Sequence, residues 1–367
     1  MILNMILKIN KQRSDRETRK RRAKMSKHAW WPLLVCAAAV PSCGADTSGS
    51  PEAQAQATVK AELTAELAHW HAAAVAIRAA APTPDADGWN DTADADEVDT
   101  MRTQWALARV AYEKVEGAIA VLFGDYDVAT DERYEGFLEA APDTDLFDGM
   151  GVTGVHAIER ILWAGKAPAA VVDYETTLTG YEPAAFPASM AEATEFRDGL
   201  CTRLVTDIET VRTMFAPLSL DTAAAFRGVI GSMGEQVEKI TLAADGQDES
   251  RYARHTLADM RANLAGGKNT YNGFRDWLRG TAGGPALDTA ILAGFDRVSA
   301  LYAAVSGDAL PPVPAGFTPA APTAAQLSTP YGMIFGGLST ESDATNPESL
   351  VSKMTAAADL IGLPQLQ

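Results

Sequence analysis

The chain has 367 residues, 47% of them hydrophobic, with alanine prominent and Val/Ile-rich alternating runs scarce, a composition that favours helices over sheets. The formal net charge is −17, yet residues 1–42 hold ten of the 31 basic side chains and only two of the 48 acidic ones, so the remainder stands at −25. So acidic a body excludes nucleic acid as a partner and tolerates cationic ones.

Met25 opens a segment with the pattern of a bacterial signal peptide: Lys27 and His28, then the apolar run Ala29 to Val40, then Pro41-Ser42-Cys43. The run is too short to span a bilayer comfortably, and no later run has membrane length. Val40-Pro41-Ser42-Cys43 resembles the lipobox, whose cysteine receives lipid. Residues 1–24 read as a gene start set too far upstream. Residues 1–43 are therefore expected to be an export segment ending at Cys43, and 44–57 a flexible tether. Of the three cysteines, Cys36 and Cys43 fall in that segment, which excludes a mature disulfide framework and a cysteine-bound zinc. Cys201 reads as a small buried hydrophobe.

Helical periodicity governs the rest. It predicts helices over 58–81, 98–123, 150–164, 188–214, 221–244, 250–279, 286–306 and 345–362. Residues 82–97 read as a loop, 125–145 as irregular and acidic, 166–187 as a long connection, and 307–330 as an extended Pro/Ala-rich stretch. The expected fold is all-α, of four-helix-bundle type, with a first lobe over 58–180 and a second over 181–309. A Pro/Ala-rich tail with a terminal helix follows over 310–367.

The informative stretch is Gly154-Val155-His156-Ala157-Ile158-Glu159. On a helix His156 and Glu159 share one face, within reach of a common ion. Val155, Ile158, Ile161 and Leu162 cover much of the remaining circumference, so the helix is expected to be buried and its carboxylate to need a partner. An imidazole with a carboxylate suits Fe, Zn or Cu better than Mg or Ca. A hydrogen-bonded core pair is the plainer reading of the same spacing. In the preceding long helix, Glu116 lies at the edge of the apolar stripe and is the better additional ligand. Glu113 lies further round, nearer solvent, and Arg109 sits between them, able to pair with either or to clamp an anion. Asp259 and Asn263 fall one turn apart on one face, fit for interhelical hydrogen bonds or for a ligand site. Asp125, Asp127 and Asp131 are placed to orient Arg133 or to lie near the site, with a charged loop the favoured reading, and His255 reads as a surface or capping histidine.

These blocks together resemble the imelysin family, also known as peptidase M75, over about residues 58–306. Gly154 to Glu159 looks like its Gly-x-His-x-x-Glu signature, and Ala108 to Glu116 like the Ala-Arg-x-x-Tyr/Trp-Glu-x-x-Glu helix upstream. Arg251-Tyr252, Thr256 to Gly267 and Asn269 to Gly273 resemble the downstream block. The resemblance implies paired helical bundles with the signature near their junction. It also implies an exported protein on the periplasmic side of the envelope, at the outer membrane in a Gram-negative cell, related to the periplasmic iron-uptake components EfeO and EfeM. The expected metal ligands are then His156, Glu159, Glu116 and Glu113, with Arg109, Gly154, Asp259 and Asn263 as further binding residues. The expected cargo is iron or an iron complex, with zinc or copper left open, handed to a membrane iron-transport component, while Cys43 bears a lipid anchor. A metallopeptidase and a non-catalytic helical scaffold are the rivals. The peptidase reading lacks a His-Glu-x-x-His and an obvious general base.

Overall fold

In the computed structural model, which describes residues 49–90 and 92–365, every regular element is helical. In chain order these are α1 (Pro51–Ala80), α2 (Ala95–Glu113), α3 (Glu116–Leu122), α4 (Gly124–Asp131), α5 (Tyr134–Ala140), α6 (Gly154–Leu162), α7 (Ala169–Glu175) and α8 (Met190–Glu195). They continue as α9 (Cys201–Phe215), α10 (Thr222–Leu242), α11 (Thr256–Arg279), α12 (Gly284–Ala303), α13 (Ala324–Leu327), α14 (Pro330–Glu341) and α15 (Leu350–Leu360). The export segment 1–43, its lipobox and Cys43 lie outside the described residues.

The first helix starts at Pro51 rather than at 58, so part of the expected tether is helical. Ser50 caps it by accepting from the Ala53 N–H at 3.1 Å, and Pro51 supplies a first-turn residue that needs no amide donor. Val59, Leu63, Leu67, Trp70, Ala74 and Ile77 recur at three- and four-residue spacing and are all buried. Each large side chain among them contributes about 1.5–3 kcal/mol by leaving water. That stripe packs along α2, α9 and α11.

Around α10 a second set of contacts forms, with α11, α14 and α15 against it and α12 packed on α11, α14 and α15. The segment after 310 is thus part of the core: Tyr331, Ile334, Leu338, Leu350 and Met354 are buried, and the Tyr331 hydroxyl donates to the Ile240 carbonyl of α10. Residues 330–341 form a helix where only an extended stretch and a later terminal helix are expected from periodicity. Thr329 caps it through the Gly332 N–H, and Pro330 starts it. Cys201 is buried in α9, as its composition suggests. Among the described residues no helix is long and apolar enough to cross a membrane.

Three departures shape the site. The helix expected over 98–123 is interrupted between Glu113 and Glu116, where the Val115 N–H donates to the Tyr112 carbonyl at 2.8 Å in a tighter i→i+3 turn. Gly266 of α11 presses on this break, and a Cβ there would collide with the Lys114 carbonyl. The acidic stretch expected to be irregular over 125–145 instead contains α4 and α5. Finally, α6 spans nine residues, all of them buried.

Candidate metal centre

The short helix α6 is fixed at both ends. At its start Gly154 has φ +87°, and a Cβ on it would stand 2.6 Å from the Thr130 carbonyl oxygen at the end of α4. The Thr153 hydroxyl donates to the Ala129 carbonyl at 3.1 Å, which ties the same two ends together. At its other end the Arg102 guanidinium donates to the Leu162 carbonyl at 2.9 and 2.6 Å, satisfying a terminal acceptor of the helix. Trp105 donates its indole N–H to the Val155 carbonyl at 2.9 Å. His156 is thereby carried up to the last residue of α4, Asp131.

The His156 ring uses its two nitrogens differently. Nδ1 lies 2.8 Å from Glu159 Oε2. Nε2 is buried without a hydrogen-bond partner, 3.4 Å from Asp131 Oδ1 but out of hydrogen-bonding alignment. Glu159 spends its other oxygen, Oε1, on the backbone N–H groups of Tyr252 and Ala253, at 3.0 and 2.8 Å. It is completely buried, and its bonds anchor the loop between α10 and α11.

A second group of acids surrounds Lys239 of α10. Its ammonium donates to Glu113 at 2.9 and 2.7 Å and to Glu116 at 3.0 Å, and it lies 2.7 Å from Glu249 Oε2. Arg109, with no exposed surface, pairs with Asp131 and Glu113, and lies 3.2 Å from Glu249 Oε1 and 3.5 Å from Asp259 Oδ2. Glu249 therefore offers one oxygen to each buried cation. Asn263 donates to Glu116 at 2.6 Å and accepts from Gln236 at 2.7 Å, while Asp259 pairs its Oδ1 with His255 Nδ1 at 3.0 Å.

Burial and crowding set the charges. Burial alone disfavours the His156 imidazolium, and Arg109 adds to that, but the facing carboxylates of Asp131 and Glu159 outweigh both and raise its pKa to about 9. Burial pushes Glu116 up to about 8, with Lys239 opposing, and pushes Glu235 up to about 7. For Lys239 burial favours the neutral amine, but Glu113, Glu116 and Glu249 together hold it charged. Desolvation works against the Asp131 carboxylate too, and Arg109 with His156 brings it below the ordinary range.

Ligand atoms of Asp131, His156 and Glu249 all lie within 4.8 Å of one another, and so do those of Glu113, Glu116 and Glu249. Glu249 belongs to both groups. One imidazole nitrogen with carboxylate oxygens is a donor set suited to iron, zinc or copper. The residues chosen from the sequence thus meet in one buried region but divide their tasks. Glu113 is 1% exposed, not near solvent, because Arg109 and the Lys239 ammonium from α10 close over its carboxylate. Gly154 provides a close approach between helices and no donor atom. Glu159 does not fall in either gathered group, since its oxygens are committed to His156 and to two amides. His255 stands at the N-cap position of α11 but does not cap through its side chain; half-buried, its ring packs on Trp105 with centroids 5.5 Å apart.

The sequence favours a charged loop at Asp131, whereas it ends α4 beside Arg109. Glu249 and Lys239 do not stand out in the sequence. Glu249 stands two residues before the Arg251-Tyr252 pair, which hints at its place. Lys239 carries no signal of its own beyond being a lysine on the inner face of a long helix.

An all-helical bundle whose buried centre gathers imidazole and carboxylate groups at the contact of α2, α4, α6, α10 and α11 is the class of protein this site defines. The family model for imelysin, peptidase M75, matches residues 53–330, and the chain belongs to that family. Among curated proteins it is 26% identical over 215 residues to the "Iron uptake system component EfeO" of Yersinia pseudotuberculosis, covering 59% of this chain and 47% of that one. It is 24% identical over 183 residues to the "Iron uptake system component EfeM" of Bacillus subtilis, covering 50% of this chain and 37% of that one. The chain spans less than half the length of these curated relatives. Among solved structures, an imelysin-like protein from Psychrobacter arcticum shares the fold with a TM-score of 0.52 at 11% identity, over 87% of this chain and 98% of that one.

Proposed function

We propose that the chain binds iron as cargo in an envelope iron-uptake system, with His156, Asp131 and Glu249 as the primary ligands. The observation that carries this reading is the buried His156 Nε2, which has no hydrogen-bond partner and faces two carboxylates that could close around an ion. Glu159 fixes the ring through Nδ1, an arrangement that orients histidine ligands in metal sites generally. Glu113 and Glu116 form the adjoining acidic position, and Arg109 balances charge from within. The relatives' role in iron uptake supports iron over zinc or copper as the cargo.

On this reading the chain is exported to the periplasmic side of the envelope, Cys43 bears a lipid anchor, and the ion passes to a membrane transport component. Elemental analysis of protein loaded anaerobically with Fe(II) tests the binding. Wild type should retain iron through desalting, and His156→Ala and Asp131→Asn should lose most of it. Equal iron in all three proteins ends the reading. Mass spectrometry of the mature N-terminus, with Cys43→Ala as control, tests the anchor.

A further inference from the structure

The two acidic groups that share Glu249 are differently filled. Between Glu113, Glu116 and Glu249 sits the Lys239 ammonium, bonded or ion-paired to all three carboxylates at 2.7–3.0 Å. Between Asp131, His156 and Glu249 no ammonium stands: the Arg109 guanidinium pairs with Asp131 and lies 3.2 Å from Glu249 Oε1, and the His156 Nε2 there lacks a hydrogen-bond partner. We propose that Lys239 is a built-in cation that fills the second position of a potential two-ion cluster and thereby limits the protein to one metal ion, held on the His156 side. The proposal deepens the iron-binding reading and rests on it for the identity of the first position.

Three observations support it. The carboxylates around Lys239 have the mutual spacing of a ligand set, so the ammonium occupies the place an ion would take. Glu249 Oε2 lies 2.7 Å from Lys239 yet makes no aligned hydrogen bond, which marks a charge contact more than a built hydrogen-bond partnership. Lys239 also approaches from α10, a helix that contributes no ligand to the His156 position, so exchanging its side chain removes none of that position's donors and frees the Glu249 oxygen now paired with it. A compact ammonium on a flexible stem is suited to such a place, where a planar guanidinium is not. The carboxylates and the cation facing Lys239 are Glu113 and Arg109 on α2, Glu116 on α3, Glu235 on its own helix, Asp131 on α4 and Glu249 on the following loop.

The test uses Mn(II) as a redox-stable probe, with elemental analysis for stoichiometry and electron paramagnetic resonance for its arrangement. Wild type is expected to hold one ion with an isolated Mn(II) spectrum. Lys239→Met, which keeps length and removes the charge, is expected to hold two ions with a spin-coupled spectrum. Adding Glu113→Gln to that variant should return the count to one. Lys239→Gln serves if the methionine variant fails to fold by circular dichroism. A folded Lys239 variant that still binds one ion overturns the proposal, and so does wild type binding two. If wild type binds none while the Lys239 variant binds one, lost again with Glu113→Gln, the Lys239 assignment stands and the His156 reading falls.

Discussion

His156 Nδ1 and Glu159 Oε2 lie 2.8 Å apart one helical turn along α6, and this contact leaves Nε2 as the nitrogen turned toward Asp131. The same glutamate holds two backbone amides of the loop from which Glu249 comes. One buried carboxylate thus sets the ring orientation and the position of a second acid.

Glu159→Ala should therefore be costly twice over. It leaves two buried amides and an imidazole without their partner, a loss of about 3–5 kcal/mol by the scale of broken buried charge pairs. Glu159→Gln retains an acceptor and should lose less. Chemical denaturation of the three proteins checks the order, and an alanine variant as stable as wild type refutes it.

Stability should fall as pH rises from about 6.5 toward 9, because His156 is held protonated in the folded chain to about 9 and releases its proton earlier when unfolded. The folded state binds more protons throughout that window, so alkali favours unfolding. His156→Gln should flatten the slope. Thermal melts of the metal-free protein between pH 6 and 10 measure it, and parallel curves for both proteins would count against the assignment.

Gly154→Ala combines a left-handed backbone with a collision against Thr130, and nothing flexible lies in the way to move aside. A loss of more than about 1 kcal/mol is expected from the backbone conformation alone. Iron retention should drop with it, since α6 must retreat from Asp131. Unchanged melting and iron content would show that the approach of α6 to α4 is slack.

Iron should raise the melting temperature of wild type by an amount that grows with free metal, about 2.7 kcal/mol of added stability at a hundredfold excess over the dissociation constant. Asp131→Asn removes the ligand charge and should abolish the shift. A shift that persists in Asp131→Asn places the ion elsewhere.

Helical content, the burial of the signature helix and the pairing of His156 with Glu159 are legible in the sequence because each rests on local spacing. A three-residue offset places His156 and Glu159 together in any α-helix, and the structure joins them. Glu116 is buried against Lys239 and Asn263, as its place at the edge of an apolar stripe suggests. What escaped depends on contacts across the chain. The interruption after Glu113 lies where Gly266 of α11 approaches the Lys114 backbone, and no pattern within α2 announces it. Asp131 reads as loop charge until α6 is seen to dock on the end of α4. Lys239 and Glu249 acquire meaning only when α10 and the following loop are laid beside α2. The helix at 330–341 was hidden by the prolines and glycines around it, which here serve as a helix start and as close-packing positions.

The α10 helix faces the acids with Lys239 and, on its other sides, meets α14 and α15. The residues of α14 and α15 that pack on α10 follow, in the chain, every residue of the two acidic groups. The helix that carries Lys239 therefore gains its full packing only from the last described helices, and a chain cut before Pro330 would leave that face of α10 bare.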